Sequence, residues 1–173
     1  MRAAHLTKRF FGSLRPGGPG REAEGWVASV LSPGERELWR RMNGPDRRHA
    51  HAVARRVERA LGHEATAPVL AAALLHDVGK ADAGLRTYGR VIATLSAAVA
   101  GHEMADLWVT RRGFTRKVGL YLLHPDIGGD QPALADSDPL TVAWAREHHR
   151  DEGEWTVPLA DGRLLVAADD GRL

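Results

Sequence analysis

Apolar and polar positions alternate along this chain with helical periodicity, and clusters of Pro and Gly punctuate them. Trp26, Val27 and Val30 predict a helix over about Glu22 to Leu31. Ser32-Pro33-Gly34-Glu35 then reads as a helix start, with a capping serine, proline at the first position and glutamate three residues on. That helix carries Leu38, Trp39 and Met42 and stops at Asn43-Gly44-Pro45. Asp46 is expected to cap the next one, which runs to about Leu61 and closes at Gly62. Its apolar stripe is Val53, Val57, Ala60 and Leu61. His49 lies on that stripe, one turn before Val53, whereas His51 falls with Arg55 and Glu58 on the solvent side. Spacing therefore turns the two histidines in opposite directions.

The helix predicted from Thr66 to Asp77 has no polar residue between Val69 and Leu75. A helix apolar on every side is buried, yet this one runs straight into His76-Asp77-Val78-Gly79-Lys80. A carboxylate there meets the negative end of the helix dipole. Buried charge in such a place calls for a cationic partner, either a side chain or a metal. Gly79 is expected to take the left-handed conformation that ends the helix, turning Lys80 back to the same mouth. Further on, the pattern predicts an apolar helix from about Tyr88 to Ala100, with His102 in the polar turn after it. A break at Arg111-Arg112-Gly113 precedes a short helix from Phe114 to Leu123, which stops at His124-Pro125. Asp138 caps a helix through Trp144 up to Glu147-His148-His149, and an apolar segment from Leu164 leads to Asp169-Asp170. With no strand alternation and no repeat, the expected fold is all-α. Residues 1–45 are expected to form an arm and covering helices, and 46–173 the helical domain that holds a metal.

Composition narrows the chemistry. A chain of 173 residues can bury a sizeable core. It has no cysteine, which excludes disulfides, thiolate zinc sites and cysteine nucleophiles. His, Asp and Glu remain as ligands, an N/O donor set suited to Fe, Mn, Mg or Zn. The net charge is only +2, and the arginine pairs are interleaved with acids and lack an aromatic platform, so nucleic acid is disfavoured as a partner. Lysine occurs only at Lys8, Lys80 and Lys117, so one directly after His-Asp-Val-Gly stands out. No apolar run approaches the ~20 residues needed to span a bilayer. Met1 to Leu14 lacks the apolar region of a secretion signal, so a cytoplasmic location is expected.

His49-Ala50-His51-Ala52-Val53-Ala54 followed by Leu74-Leu75-His76-Asp77-Val78-Gly79-Lys80 resembles the HD-domain metal-dependent phosphohydrolase superfamily. The first histidine of that family is followed by Val-Ala four residues on, which selects His49 over His51. Later segments resemble the HD-GYP branch. His124-Pro125-Asp126-Ile127-Gly128 matches its His-Pro-x-x-Gly helix start, Glu147-His148-His149 its paired histidines, and Leu164 to Asp169 its closing helix. The likeness covers about Asp46 to Asp170. It implies a metal set of His49, His76, Asp77, His124, His148, His149 and a last aspartate, Asp169 or Asp170. It also implies one or two divalent ions, Fe or Mn foremost, with Mg, Zn, Co or Ni as alternatives. Asp77 would be shared between two ions, and Lys80 would steady charge on a phosphoryl group. The implied activity is hydrolysis of a phosphodiester or phosphomonoester, on a nucleotide or another phosphorylated small molecule. A non-catalytic module binding nucleotide or a protein partner is the alternative. The chain departs from the branch in reading Arg150-Asp151-Glu152-Gly153-Glu154-Trp155 where Gly-Tyr-Pro belongs, which argues against cyclic di-GMP. The span from Tyr88 to Phe114 reads as an insertion.

Overall fold

A computed structural model describes residues 17–83, 85 and 104–173. Among them the protein is all-α, with no strand. The first two helices are α1 (Arg21–Val30) and α2 (Pro33–Arg41), followed by α3 (Gly44–Leu61), α4 (Ala67–Leu75) and the single turn α5 (Lys80–Ala83). Next come α6 (Met104–Val109), α7 (Gly113–Leu122), α8 (His124–Leu134), α9 (Pro139–Glu147) and α10 (Leu159–Asp169). The helix expected over Tyr88 to Ala100, His102, His5 and the arm before Gly17 lie outside the described residues.

The helix α4 is the axis of the molecule. Every residue from Val69 to Lys80 is buried. Helices α1, α2, α3 and α9 all pack on α4, and the small Ala71, Ala72 and Ala73 let their backbones come close. Leu74 and Leu75 are sealed completely, each burial stabilising by about 1.5–3 kcal/mol. Val27, Leu31, Leu38, Trp39 and Met42 belong to the same core as Val53, Leu74 and Trp144, so the N-terminal helices are built into it. A smaller cluster, Leu85 and Val118 with Trp108 and Tyr121 against them, ties the α6–α7 hairpin together.

Local chemistry sets most element ends as the pattern predicts. Ser32 and Glu35 form a reciprocal capping box at α2. The Asp138 carboxylate accepts from Leu140 N–H at the start of α9, and Gly62, at φ 58°, ends α3. Three details differ. Asn43 rather than Asp46 caps α3, its side-chain oxygen accepting from Asp46 N–H, because the helix begins three residues earlier, at Gly44. Ala60 is exposed and Leu61 is only partly buried, packed at the edge of the core where α3 ends. His124-Pro125 is both the stop of one helix and the start of another, α8, with only Leu123 between them.

Candidate metal centre

Three helix ends supply the imidazoles. His76 follows the last residue of α4, His124 opens α8, and His148 follows the last residue of α9. In each ring Nδ1 meets a main-chain carbonyl of the preceding turn. His76 Nδ1 lies 3.0 Å from Ala73 O, His124 Nδ1 2.7 Å from Tyr121 O, and His148 Nδ1 3.1 Å from Ala145 O. A carbonyl can only accept, so the ring proton sits on Nδ1 and the Nε2 lone pair is left free in the neutral imidazole. All three Nε2 atoms are buried without a hydrogen-bond partner.

Those lone pairs converge on Asp77. His76 Nε2 is 3.4 Å from Asp77 Oδ2, and His124 and His148 Nε2 are each 3.5 Å from Oδ1. Such separations are too long for sound hydrogen bonds. Buried imidazole nitrogens without hydrogen-bond partners are rare in proteins. A ring whose far nitrogen is fixed by a carbonyl is, by contrast, the usual arrangement of a metal-ligating histidine. The donor set therefore fits a divalent cation. It divides into two groups that share one carboxylate: His49, His76 and Asp77, and Asp77, His124, His148 and His149. Within each group one ligand atom per residue lies within 4.8 Å of all the others. This buried His/Asp cluster can hold a metal ion.

Electrostatics favour the ligating forms of Asp77, His124, His148 and His149. Burial would raise the Asp77 carboxyl, but Lys80 and His76 outweigh it and hold the group well below the usual carboxylate range. Lys80 Nζ stands 2.5 Å from Asp77 Oδ1, one helical turn on. Burial lowers His148, and it takes His124 down to about 4. His149 is exposed as a residue, yet desolvation of its ring, with the neighbouring His148 and His124, pushes it to about 3. His76 moves the other way: burial opposes its charge, and the Asp77 carboxylate outweighs burial to raise it.

Close backbone contact brings the motifs together. Gly79 is not in the left-handed conformation expected of it, being absent from the positive-φ residues. It is needed for space instead. A Cβ on Gly79 would stand 2.0 Å from His124 O and 2.8 Å from Gly128 Cα, so the His76–Lys80 turn lies directly against the start of α8. That explains the glycine in Asp-Val-Gly-Lys; at Gly128 a Cβ would come no closer than 3.3 Å, to Gly79 N.

Of the two C-terminal acids, Asp169 reaches the site, its Oδ1 2.7 Å from His49 Nε2, while Asp170 pairs with Arg172 at the surface. His51 is half-buried, edge-on to Trp26 and away from the cluster. His63 is exposed. Two residues outside the expected ligand set support it. Tyr121 stacks on His124 and lends it a carbonyl. Glu147 is a buried carboxylate that accepts from Thr156 N–H at 2.7 Å and its hydroxyl at 2.6 Å, fastening the loop that leaves His148-His149. Period alone places Glu147 on the inner face of α9, and that signal was available. Among the described residues no helix is long and apolar enough to cross a membrane. Comparison with protein-family models, with characterised proteins and with solved structures finds no match.

Proposed function

We propose that the protein is a metal-dependent phosphohydrolase of HD type, acting on a nucleotide or another phosphorylated small molecule. The observation that carries this reading is the convergence of three pre-oriented Nε2 lone pairs on the shared Asp77 carboxylate. His49, His76, Asp77 and Asp169 would hold one divalent ion, and Asp77, His124, His148 and His149 a second, Fe or Mn foremost and Mg, Zn, Co or Ni as alternatives. Bound there, two such ions supply an activated water and a clamp on phosphoester oxygens. The protein's own part is to hold seven ligands in register, with Asp77 kept as a carboxylate and His124, His148 and His149 kept neutral. Lys80, buried beside Asp77, offsets the carboxylate charge and offers an ammonium to a non-bridging phosphoryl oxygen. His149 is exposed and marks the side from which substrate enters.

The test is hydrolysis of bis-(p-nitrophenyl) phosphate, p-nitrophenyl phosphate and a nucleotide panel by protein reconstituted with Mn²⁺ or Fe²⁺. Turnover that disappears in Asp77→Asn, with the fold intact by circular dichroism, is the expected result. Equal turnover by Asp77→Asn and wild type would sink the proposal. Metal binding without turnover of any phosphoester would leave the binding module as the better account.

A further inference from the structure

We infer that Arg56 is a positioning residue for the metal centre: it fixes the last turn of α10 so that Asp169 can serve as a ligand beside His49. The inference rests on the metal-site reading above. Asp169 is the last residue of α10, where helices fray and backbone bonds open at little cost. Apart from the short turn Glu152–Glu154, the element on which α10 chiefly packs is α3. From α3, Arg56 Nη1 donates a 3.0 Å bond to Ala168 O, the carbonyl of the residue directly before Asp169. Ala168 itself is fully buried. A guanidinium at the carboxyl end of α10 also meets the negative end of its dipole.

The register on α3 makes this more than a passing contact. Arg56 stands seven residues, two turns, after His49, with the buried Val53 between them. One face of α3 therefore presents the imidazole and, two turns on, the clamp for the turn that brings in the opposing carboxylate. His49 Nε2 and Asp169 Oδ1 meet at 2.7 Å across that face. The neighbouring Arg55 is turned elsewhere, stacked over Trp26 and paired with Glu58. On the far side α10 is held by Arg163 to Glu152, which is exposed and sits in its first half. That tether does not govern the last turn.

The test isolates the His49 site by working in His149→Ala, a surface change in the other ligand group. Co²⁺ is titrated and read by its ligand-field absorption. Arg56→Met, which keeps the apolar stem and removes the donor, is expected to weaken Co²⁺ binding by about 10–100-fold, the range for groups that orient ligands. In Asp169→Asn the same Arg56→Met change is expected to add nothing, because its effect passes through that carboxylate. In metal-free protein, Arg56→Met should also speed amide exchange at Asp170, Gly171 and Arg172, which Arg55→Met leaves unchanged. Unaltered Co²⁺ affinity in Arg56→Met, or losses that add fully with Asp169→Asn, would overturn the inference while leaving the metal centre standing. Failure of the parent to bind Co²⁺ at all would overturn both.

Discussion

Gly79→Ala adds one methyl group at the point where the His76–Lys80 turn rests on α8. The new Cβ would lie 2.0 Å from His124 O and 2.8 Å from both Gly128 N and Gly128 Cα. All three are main-chain atoms, so no side chain can swing aside. Bringing the shortest contact out to 3.0 Å requires a retreat of about 1 Å between two buried backbones. Overpacking of a core costs about 1–3 kcal/mol when side chains can adjust, so about 3 kcal/mol is expected here. For a chain of this size each kcal/mol moves Tm by about 2–4 °C, which gives a fall of about 6–12 °C. The same shift displaces His124 from Asp77 by more than the ~0.5 Å that a preorganised site tolerates, so metal affinity falls as well. Thermal unfolding of metal-free protein and a metal titration read the two effects separately. Gly25→Ala is the control of opposite sign. Gly25 is exposed within α1 with nothing near its Cβ position, and alanine there should stabilise by about 0.5–1 kcal/mol. A Gly79→Ala protein with wild-type Tm and wild-type metal affinity would refute the argument that backbone contact assembles the site.

Three further outcomes follow from the same geometry. Chelator-treated protein should lose stability as pH falls from 6.5 towards 4: His124 is depressed to about 4 in the fold, so the unfolded chain binds the proton first. At 1.36 kcal/mol per pH unit that one ring contributes about 3 kcal/mol over the window, and the raised His76, already protonated below 6.5 in both states, does not offset it; urea midpoints that stay flat from pH 6.5 to 4 would contradict this. Glu147→Ala removes a carboxylate holding Thr156 by two bonds and should cost about 1.5–3 kcal/mol in urea unfolding, with Glu147→Gln recovering part of it. Lys80→Met should lower kcat for phosphoester hydrolysis by about 10²-fold or more, the loss expected when one charge-stabilising donor is removed, while Mn²⁺ stoichiometry is retained; unchanged kcat would remove Lys80 from the chemistry.

Much of this arrangement was legible in the chain, and the reasons are local. The Ser32 capping box, the Asp138 cap and the Gly62 stop depend only on neighbouring residues. The inward turn of His49 follows from its register with Val53, and the burial of His76 and Asp77 from an apolar helix that has no face for water. What escaped depends on distant parts of the chain. Gly79 was singled out for a conformation it does not adopt, because its true constraint, the backbone of His124 and Gly128, lies some fifty residues away. Asp169 could not be separated from Asp170 without knowing how α10 meets α3. Glu147 read as part of a motif, and its role emerged only once Thr156 folded back onto it.

If Asp77 joins two ligand sets into one centre, metal content per chain will show it. Protein purified without chelator or metal-binding tag, reconstituted with Mn²⁺ or Fe²⁺ and freed of excess ion, should carry two ions per chain by elemental analysis. His149→Ala should carry one, and Asp77→Ala none. A wild-type chain that retains no metal after reconstitution, or an Asp77→Ala chain that retains two, would contradict the account.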